Sequence, residues 1–299
     1  MHSAVFIFIS AFFVLAAGSG YQQDLAEPHP ADKRWDHALF DRVIENQKKN
    51  DRAMDIYERL ERVETQKVSG ERHFTETKIS RVVPSGIGAG HIPVGPDGKP
   101  ADVAAYRAEL EKLEKSLVWA TDTGHVQHDA YERIAKKKKD RDDLIGAAKT
   151  AFLFTYIASE PRDDRILLKY RMDPNPAFKP TSRATSIYTR VRGVVWIDEE
   201  SSQLARIEGE VMEDISLGIF LAKVYKGSHF MQERYEMAPG MWLPTFSQYD
   251  FDGRKFLASF FMHERTFFSN YRLVGPPKEA LALVRSELQR VRAIAAASP

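Results

Sequence analysis

The sequence predicts a mainly β (α+β) fold: a curved antiparallel sheet forming an unclosed β-barrel, with amphipathic helices on its concave face and a helical insertion. Three observations predict it. Eight apolar segments between residues 152 and 268 follow one another across short turns, which makes consecutive strands antiparallel neighbours. Residues 35–52 and 277–294 carry apolar residues at helical spacing on one face each, so each helix must be covered by the sheet. Residues 101–151 are charged and helical in period, and interrupt the strand pattern between an early hairpin and the late meander.

The first twenty residues set the address. Ala4 to Ala17 is apolar and about the length of a signal h-region, and small residues from Ala16 to Gly20 follow it. We read 1–20 as a cleavable signal peptide and 21–34, with Pro28 and Pro30, as a linker; 35–299 is then one unclosed-barrel domain with the 101–151 insertion. No Lys or Arg precedes the apolar run, which leaves an uncleaved anchor as the alternative. A spanning helix needs roughly 20 apolar residues, and no other segment approaches that. The expectation is export, to the periplasm of a Gram-negative bacterium, with no integral span after cleavage.

The helix at 35–52 shows Trp35, Leu39, Val43 and Ile44 at helical spacing. Residues 54–67 and 71–83 read as two strands joined at Val68-Ser69-Gly70. Residues 84–100 hold five Gly and four Pro and read as a loop; a phosphate loop would need a helix directly after it and a Gly-Lys-Ser/Thr, and has neither. Val103, Tyr106, Leu110, Leu113 and Leu117 form one heptad stripe. A break at 121–124 precedes a second helix containing "KKKKDRDD", read as a solvated face because acidic residues neighbour the lysines.

The meander strands are expected at 152–159, 165–172, 187–198, 203–213, 217–226, 230–237, 242–251 and 254–268, with Asp252-Gly253 as a tight primed turn. Residues 173–186 are too rich in proline for a strand. The last strand is apolar on both faces, Phe256, Ala258, Phe260 and Met262 on one and Leu257, Phe261 and Phe267 on the other, which predicts cover on both. The closing helix carries Leu281, Val284, Leu288 and Val291 as its stripe.

"GVVWIDEESSQLARIEGEV", residues 193–211, supplies the sharpest local expectation. Val195 and Ile197 should share one face with Ala205 and Ile207, because strand side chains alternate. Met231 or Phe230, Phe246 or Leu243, and Phe260 or Phe261 should continue that face, the parity of these later strands being open, and the stripe of the closing helix should lie over part of it. Val195, Ile197, Ile207, Met231, Phe246 and Phe260 are therefore the candidate ligand-lining residues. Arg190, Arg192, Arg206, Glu208 and Glu210 should lie opposite as a charge ladder.

With the pattern in place, a resemblance enters. Trp196-Ile197-Asp198, Gln203-Leu204-Ala205-Arg206 and Trp242-Leu243-Pro244 resemble the strand motifs of the outer-membrane lipoprotein-sorting, periplasmic carrier-like superfamily. The likeness covers residues 152–274, with weaker support from 35–83. It implies an unclosed barrel whose helices cross a concave apolar face able to accept acyl chains, and a role in moving or sensing lipids or lipid-modified proteins. The 101–151 insertion and the long 173–186 loop depart from the compact carriers, and either could fill the cavity.

Other chemistry is thinly supported. The chain has no Cys, which excludes disulfides, thiolate sites and acylated lipoprotein cysteines, and its net charge of +1 makes no electrostatic case for nucleic acid. His125 and His128 are the one close histidine pair, and a metal-dependent envelope enzyme built on them is a minor alternative. No Gly-x-Ser-x-Gly occurs, and the paired acids Asp163-Asp164 and Glu199-Glu200 fall in turns. No catalytic residue, resident metal or cofactor is assigned. Two readings remain: a binding or carrier protein for acyl chains, lipids or lipid-modified proteins, and a structural or sensory envelope protein that contacts a protein partner through its sheet while its own helices fill the cavity.

Overall fold

The computed structural model of the chain describes residues 37–69, 72–122, 128–182, 184–217, 222–255 and 258–297; the expected signal peptide and linker, residues 1–34, lie outside the described residues. Helix α1 (His37–Ala53) leads into the long strands β1 (Tyr57–Ser69) and β2 (Arg72–Pro84) and the short β3 (Ala89–Pro93). Helices α2 (Val103–Thr121) and α3 (His128–Ala151) follow, then β4 (Phe152–Arg162), β5 (Arg165–Pro174), a 3-10 turn at Thr185–Arg190, β6 (Val191–Asp198) and β7 (Leu204–Val211). Strands β8 (Ile215–Leu217), β9 (Ala222–Val224), β10 (His229–Ala238), β11 (Met241–Lys255) and β12 (Ala258–Leu273) complete the meander before helix α4 (Pro277–Ala297).

The fold is mainly β with flanking helices. Its larger sheet has eight strands in the order β3-β2-β1-β12-β11-β9-β8, with β10 also pairing β11, and it does not close on itself. The second sheet has the order β4-β5-β6-β7, antiparallel throughout.

The chain divides into two compact units. Of the described residues, one holds those in 37–49, 65–75 and 140–265; the other holds those in 50–64, 76–139 and 266–297. In the second unit, α2 and α4 bring their stripes together. Tyr106, Leu110, Leu113 and Leu117 pack with Leu281, Val284, Leu288 and Val291, and with Val83 and Ile92 of the hairpin. The α4 stripe was expected over Val195 and Ile207; it closes this separate core instead, because a second amphipathic helix offers it a matching apolar stripe. Asp102 caps α2, its carboxylate accepting from the amides of Ala104 and Ala105 at 2.8 and 3.1 Å.

A polar network ties the same elements. The Arg81 guanidinium donates to Glu58 (2.7 Å) and Glu287 (2.8 Å), and the Tyr106 hydroxyl donates to Glu287 at 2.5 Å. Burial, the largest effect, pushes the Tyr106 phenol up to about 12, and the hydrogen bond to Glu287 adds to it. Burial acts to raise the Glu287 carboxyl too, but the Arg81 and Tyr106 hydrogen bonds outweigh it and hold it below the usual carboxylate range.

The strand reading needs several corrections. Residues 84–100 are not all loop: Ala89–Pro93 forms β3, which pairs antiparallel with β2 from Ser80↔Pro93 to Pro84↔Ala89. Residues 185–190 coil as a 3-10 turn before the strand begins at Val191, with the Thr185 hydroxyl bonded to the Ser182 carbonyl. The expected strand at 217–226 is a pair of three-residue strands, β8 and β9. Asp252-Gly253 is no turn but runs through β11. Gly253 pairs with Val224, and the Asp252 carbonyl accepts from the Tyr225 amide at 2.8 Å, so sheet bonds override the local turn preference. Phe256 and Leu257 lie outside the described residues. Phe261 is 61 % exposed, so the outer face of β12 is uncovered there, against expectation.

Candidate functional site: the inner wall of the first unit

Strands β5, β6 and β7 build an apolar wall because alternate residues on each are mostly aliphatic or aromatic, and Phe230 of β10 packs into the same core. Across β6 and β7 the register pairs Val191 with Val211 and Val195 with Ile207, which places these side chains together. Val195, Ile197, Ile207 and Met231 are buried in one core with Tyr170, Met172 and Phe230, and Phe246 packs against it half-buried. Five of the six expected lining residues are thus brought together; the side chain of Phe260, on β12, lies outside the described residues.

Ala205 departs from the expected face. After Trp196↔Arg206 the register slips to Ile197↔Leu204, a β-bulge that leaves Ala205 out of step. Leu204 turns toward the main core, while Ala205 is buried in a small second cluster with Leu167, Trp196 and Trp242.

The wall is roofed by α1. Leu39, Phe40 and Val43 lie in the same core, and the Phe40 ring sits 4.2 Å from Phe154 and 5.2 Å from Tyr170, edge-on to the latter. The polar face of α1 binds the turn between β6 and β7. Arg42 Nε donates to Ser202 Oγ, and Asn46 Nδ2 donates to the carbonyls of Ser201 and Ser202, all at 3.1 Å. Asp198 organises that turn: it is 1 % exposed, accepts from the Ser201 amide at 2.9 Å, and faces Arg165 Nη1 at 3.3 Å. A turn that reads as solvated acid in the sequence is therefore a built contact for α1.

A pair of glycines shapes the wall. Gly193 lies opposite Gly209, and a Cβ on Gly209 would stand 2.0 Å from Cζ of Phe230. The Phe230 ring tip rests where a side chain would otherwise be.

The outer face carries four of the five expected charges, Arg192, Arg206, Glu208 and Glu210, while Arg190 ends the 3-10 turn before β6. Arg192 meets Glu210 at 2.9 Å, and Arg206 binds both Glu208 and Glu233, the latter at 2.7 Å. The Trp196 ring lies between Lys169 and Arg206, and its indole Nε1 donates to Glu160 Oε2 at 2.8 Å. Burial raises the Glu160 carboxyl, but the Lys169 and Trp196 hydrogen bonds prevail and hold it below its ordinary value.

Two inward residues escaped the sequence reading. Gln232 and Arg234 look like solvent-facing polar positions of "HFMQERYEMA", yet they are 0 % and 4 % exposed. The available signal was their spacing: both share parity with Phe230, an apolar residue of the core.

Catalytic arrangements are sparse. His125 lies outside the described residues and His128 opens α3. Among the described residues no three His, Asp or Glu side chains group as metal ligands. His263 contacts Asp250 at 3.0 Å through Nδ1 and Asp252 at 3.4 Å through Nε2, with no nucleophile placed beside the ring in that contact set. A cavity of about 100 Å³ in the second unit, lined by Ser85, His91, Ile92, Glu109 and Lys112 among others, touches none of the expected lining residues. Among the described residues no helix is long and apolar enough to cross a membrane.

No protein-family model and no curated protein matches the chain. It is similar to three solved structures at low identity. A LolA superfamily protein from Nitrosomonas europaea is 10% identical over 82% of this chain and 96% of that one, with a TM-score of 0.33. A DUF1329 family protein from Desulfovibrio piger is 10% identical over 79% and 92%, with a TM-score of 0.28. An outer membrane lipoprotein-sorting protein domain from Vibrio parahaemolyticus is 11% identical over 82% and 99%, with a TM-score of 0.32.

Proposed function

We propose that this protein is exported to the cell envelope and binds acyl chains there, as lipids or as lipid-modified proteins, against the inner wall of the first unit. One observation carries the reading. Val195, Ile197 and Ile207, from two paired strands, form an apolar surface whose helical cover from α1 is three side chains, Leu39, Phe40 and Val43. Burying each methylene of a ligand chain is worth about 0.8 kcal/mol, so a long chain could replace that cover without a net loss of apolar contact. A wall of this kind binds without any catalytic group.

Mass spectrometry of the protein purified without detergent, with titration of a fluorescent fatty acid, tests this. Retained lipid or saturable uptake supports the reading; a protein that is consistently empty and takes up no probe sinks it.

A second reading is favoured by the same three α1 side chains, since they already occupy the wall. The protein then acts as a structural or sensory envelope component, docking a protein partner on the charged outer face around Arg192, Arg206 and Glu210. A stable protein complex disrupted by charge reversal at Arg192, in a protein that takes up no lipid, would select it.

A further inference from the structure

Strand β3 ends the larger sheet, and among the described residues no strand pairs with its outer side. Its ladder with β2 fixes which backbone groups that side presents. The Ser85 amide donates to the Gly88 carbonyl at 2.9 Å, and the Val94 amide to the Ile79 carbonyl at 3.0 Å. Hydrogen-bonded pairs alternate along an antiparallel ladder, so Val83–Gly90 and Arg81–Ile92 are the bonded pairs between those two. The amides and carbonyls of Ala89 and His91 therefore point away from β2, along an open edge.

Helix α2 walls this edge. Glu109, Lys112 and Ser116 follow one another up one flank of it, while on the opposite flank Glu111 and Glu114 bind Arg292 and Arg285 of α4 at 3.1 and 2.8 Å. Between the first flank and β3 lies the cavity of about 100 Å³, lined by that flank, Leu113, Ser85 and residues 89–92. Gly90 lets the helix sit low over the strand, since a Cβ there would stand 3.2 Å from Cδ1 of Leu113. Ser85 is 6 % exposed at the cavity wall, and among the described residues its hydroxyl has no hydrogen-bond partner. A buried hydroxyl in that state has lost hydration that a bound polar group would restore. We propose that this groove binds an extended, uncharged peptide segment of another protein, which adds to β3 as a further strand and sets one serine or threonine side chain in the cavity.

Size, backbone and charge select this occupant. Small-molecule sites hold about 300–1,000 Å³, so a cavity of about 100 Å³ takes one small side chain rather than a whole ligand. Outward N–H and C=O groups on alternate residues are matched by another strand, whose backbone supplies the affinity while a pocket for alternate side chains supplies the choice. Glu109 and Lys112 neutralise each other at 2.6 Å, so the wall complements a segment that brings no charge beneath it. The Ser85 hydroxyl is donor and acceptor at once, and a second hydroxyl offers it both. The groove lies in the second unit and does not depend on the acyl-binding reading.

Selection of a phage-displayed random heptapeptide library on the full chain tests the proposal. The expected binders are uncharged at their centre and share serine or threonine at one position. Each is then synthesised with a single N-methyl group at every peptide bond in turn. A strand bonds its neighbour through every second residue, so affinity should fall about fivefold or more at alternate positions and hold at those between. His91→Pro removes an outward N–H and leaves the β2 ladder intact, because proline is tolerated on an edge strand where its nitrogen faces outward. It should weaken binding about fivefold or more at an unchanged melting temperature. Ser116→Phe, on the helix wall, should fill the cavity and weaken binding as much, which keeps the test decisive if β3 rejects proline. A library that yields no binder, N-methyl losses without a period of two, or equal binding by the wild type and both variants overturns the proposal.

Discussion

Replacing Gly209 by alanine adds one methyl group at a position where the nearest atoms are Cζ, Cε1 and Cε2 of Phe230, at 2.0, 2.3 and 2.7 Å. Real Cβ contacts do not come that close, so the Phe230 ring must move within a core where it is 4 % exposed. Overpacking of this kind costs about 1–3 kcal/mol. A helpful term opposes it: alanine restricts the unfolded chain and returns about 0.4–1 kcal/mol. The net loss for Gly209→Ala should therefore be about 1–2 kcal/mol. Phe230→Ala alone leaves a cavity and should cost about 3–5 kcal/mol.

The two effects are not independent. In Phe230→Ala the space that the new methyl needs is already empty, so the double variant should lose no more than Phe230→Ala alone. That is a favourable coupling of at least about 1 kcal/mol, measurable as a double-mutant cycle by urea unfolding followed through tryptophan fluorescence. Trp196 and Trp242 both report on this unit. Losses that add to within about 0.5 kcal/mol would refute the argument, because they would mean that the ring and the glycine do not compete for one volume. Gly193→Ala is the control. Its Cβ would meet the backbone oxygen of Glu208 at 1.9 Å, and no side-chain truncation can relieve that.

Further outcomes follow from the same geometry. Ile207→Asp puts a carboxylate into the main core and should cost more than 4 kcal/mol, measured by urea or thermal melt. Arg206→Asp, one residue away, should cost about 1–2 kcal/mol rather than nothing, since it removes the pairs with Glu208 and Glu233 and the cation on Trp196; equal losses at the two sites would show the inner and outer faces wrongly assigned. Tyr106→Phe should lose about 1.5–3 kcal/mol with the hydrogen bonds to Glu287 and Arg81. The Tyr106 phenol is raised to about 12 from an ordinary 10, so its contribution is full below pH 10 and is lost as pH climbs through 12; the phenylalanine variant should lack that alkaline loss. The Glu287 carboxyl is lowered, so its contribution is present above its ordinary value of 4.5 and fades as pH falls below it, and Glu287→Gln should flatten the acid limb of a stability profile.

The helices and most strands were legible because their signals are local. The α2 stripe from Tyr106 to Leu117 is a period, and the buried residues are the ones that period names. What escaped was set by partners distant in sequence. Gly253 continues β11 because β9 lies beside it, which no dipeptide preference can report. Ala205 left its face because the ladder slips one residue after Trp196. The α4 stripe had two possible apolar partners, and amphipathicity says that a helix must be covered without saying by what. At the candidate site, aliphatic positions were readable by alternation, whereas the burial of Gln232 and Arg234 was not, because a polar side chain by itself carries no sequence signal for the inside of a sheet.

Strand β4 stands at one end of its sheet, and from Phe152 to Ser159 it contains no charged residue. Exposed edges are ordinarily guarded by charge or proline, and here both come late, at Glu160, Pro161 and Arg162. Those charges are engaged with neighbouring strands: Glu160 holds Trp196 and Lys169, and Arg162 donates to the carbonyls of Ala205 and Arg234. Leu153 and Ile157 stand exposed on the strand, 50 % and 45 %. Eight uncharged, β-prone residues on an edge with no further strand among the described residues are a template for strand addition by an extended chain. Self-association on concentration or partial unfolding is expected to start at this segment, and a lysine at Ile157, which is 45 % exposed, should suppress it.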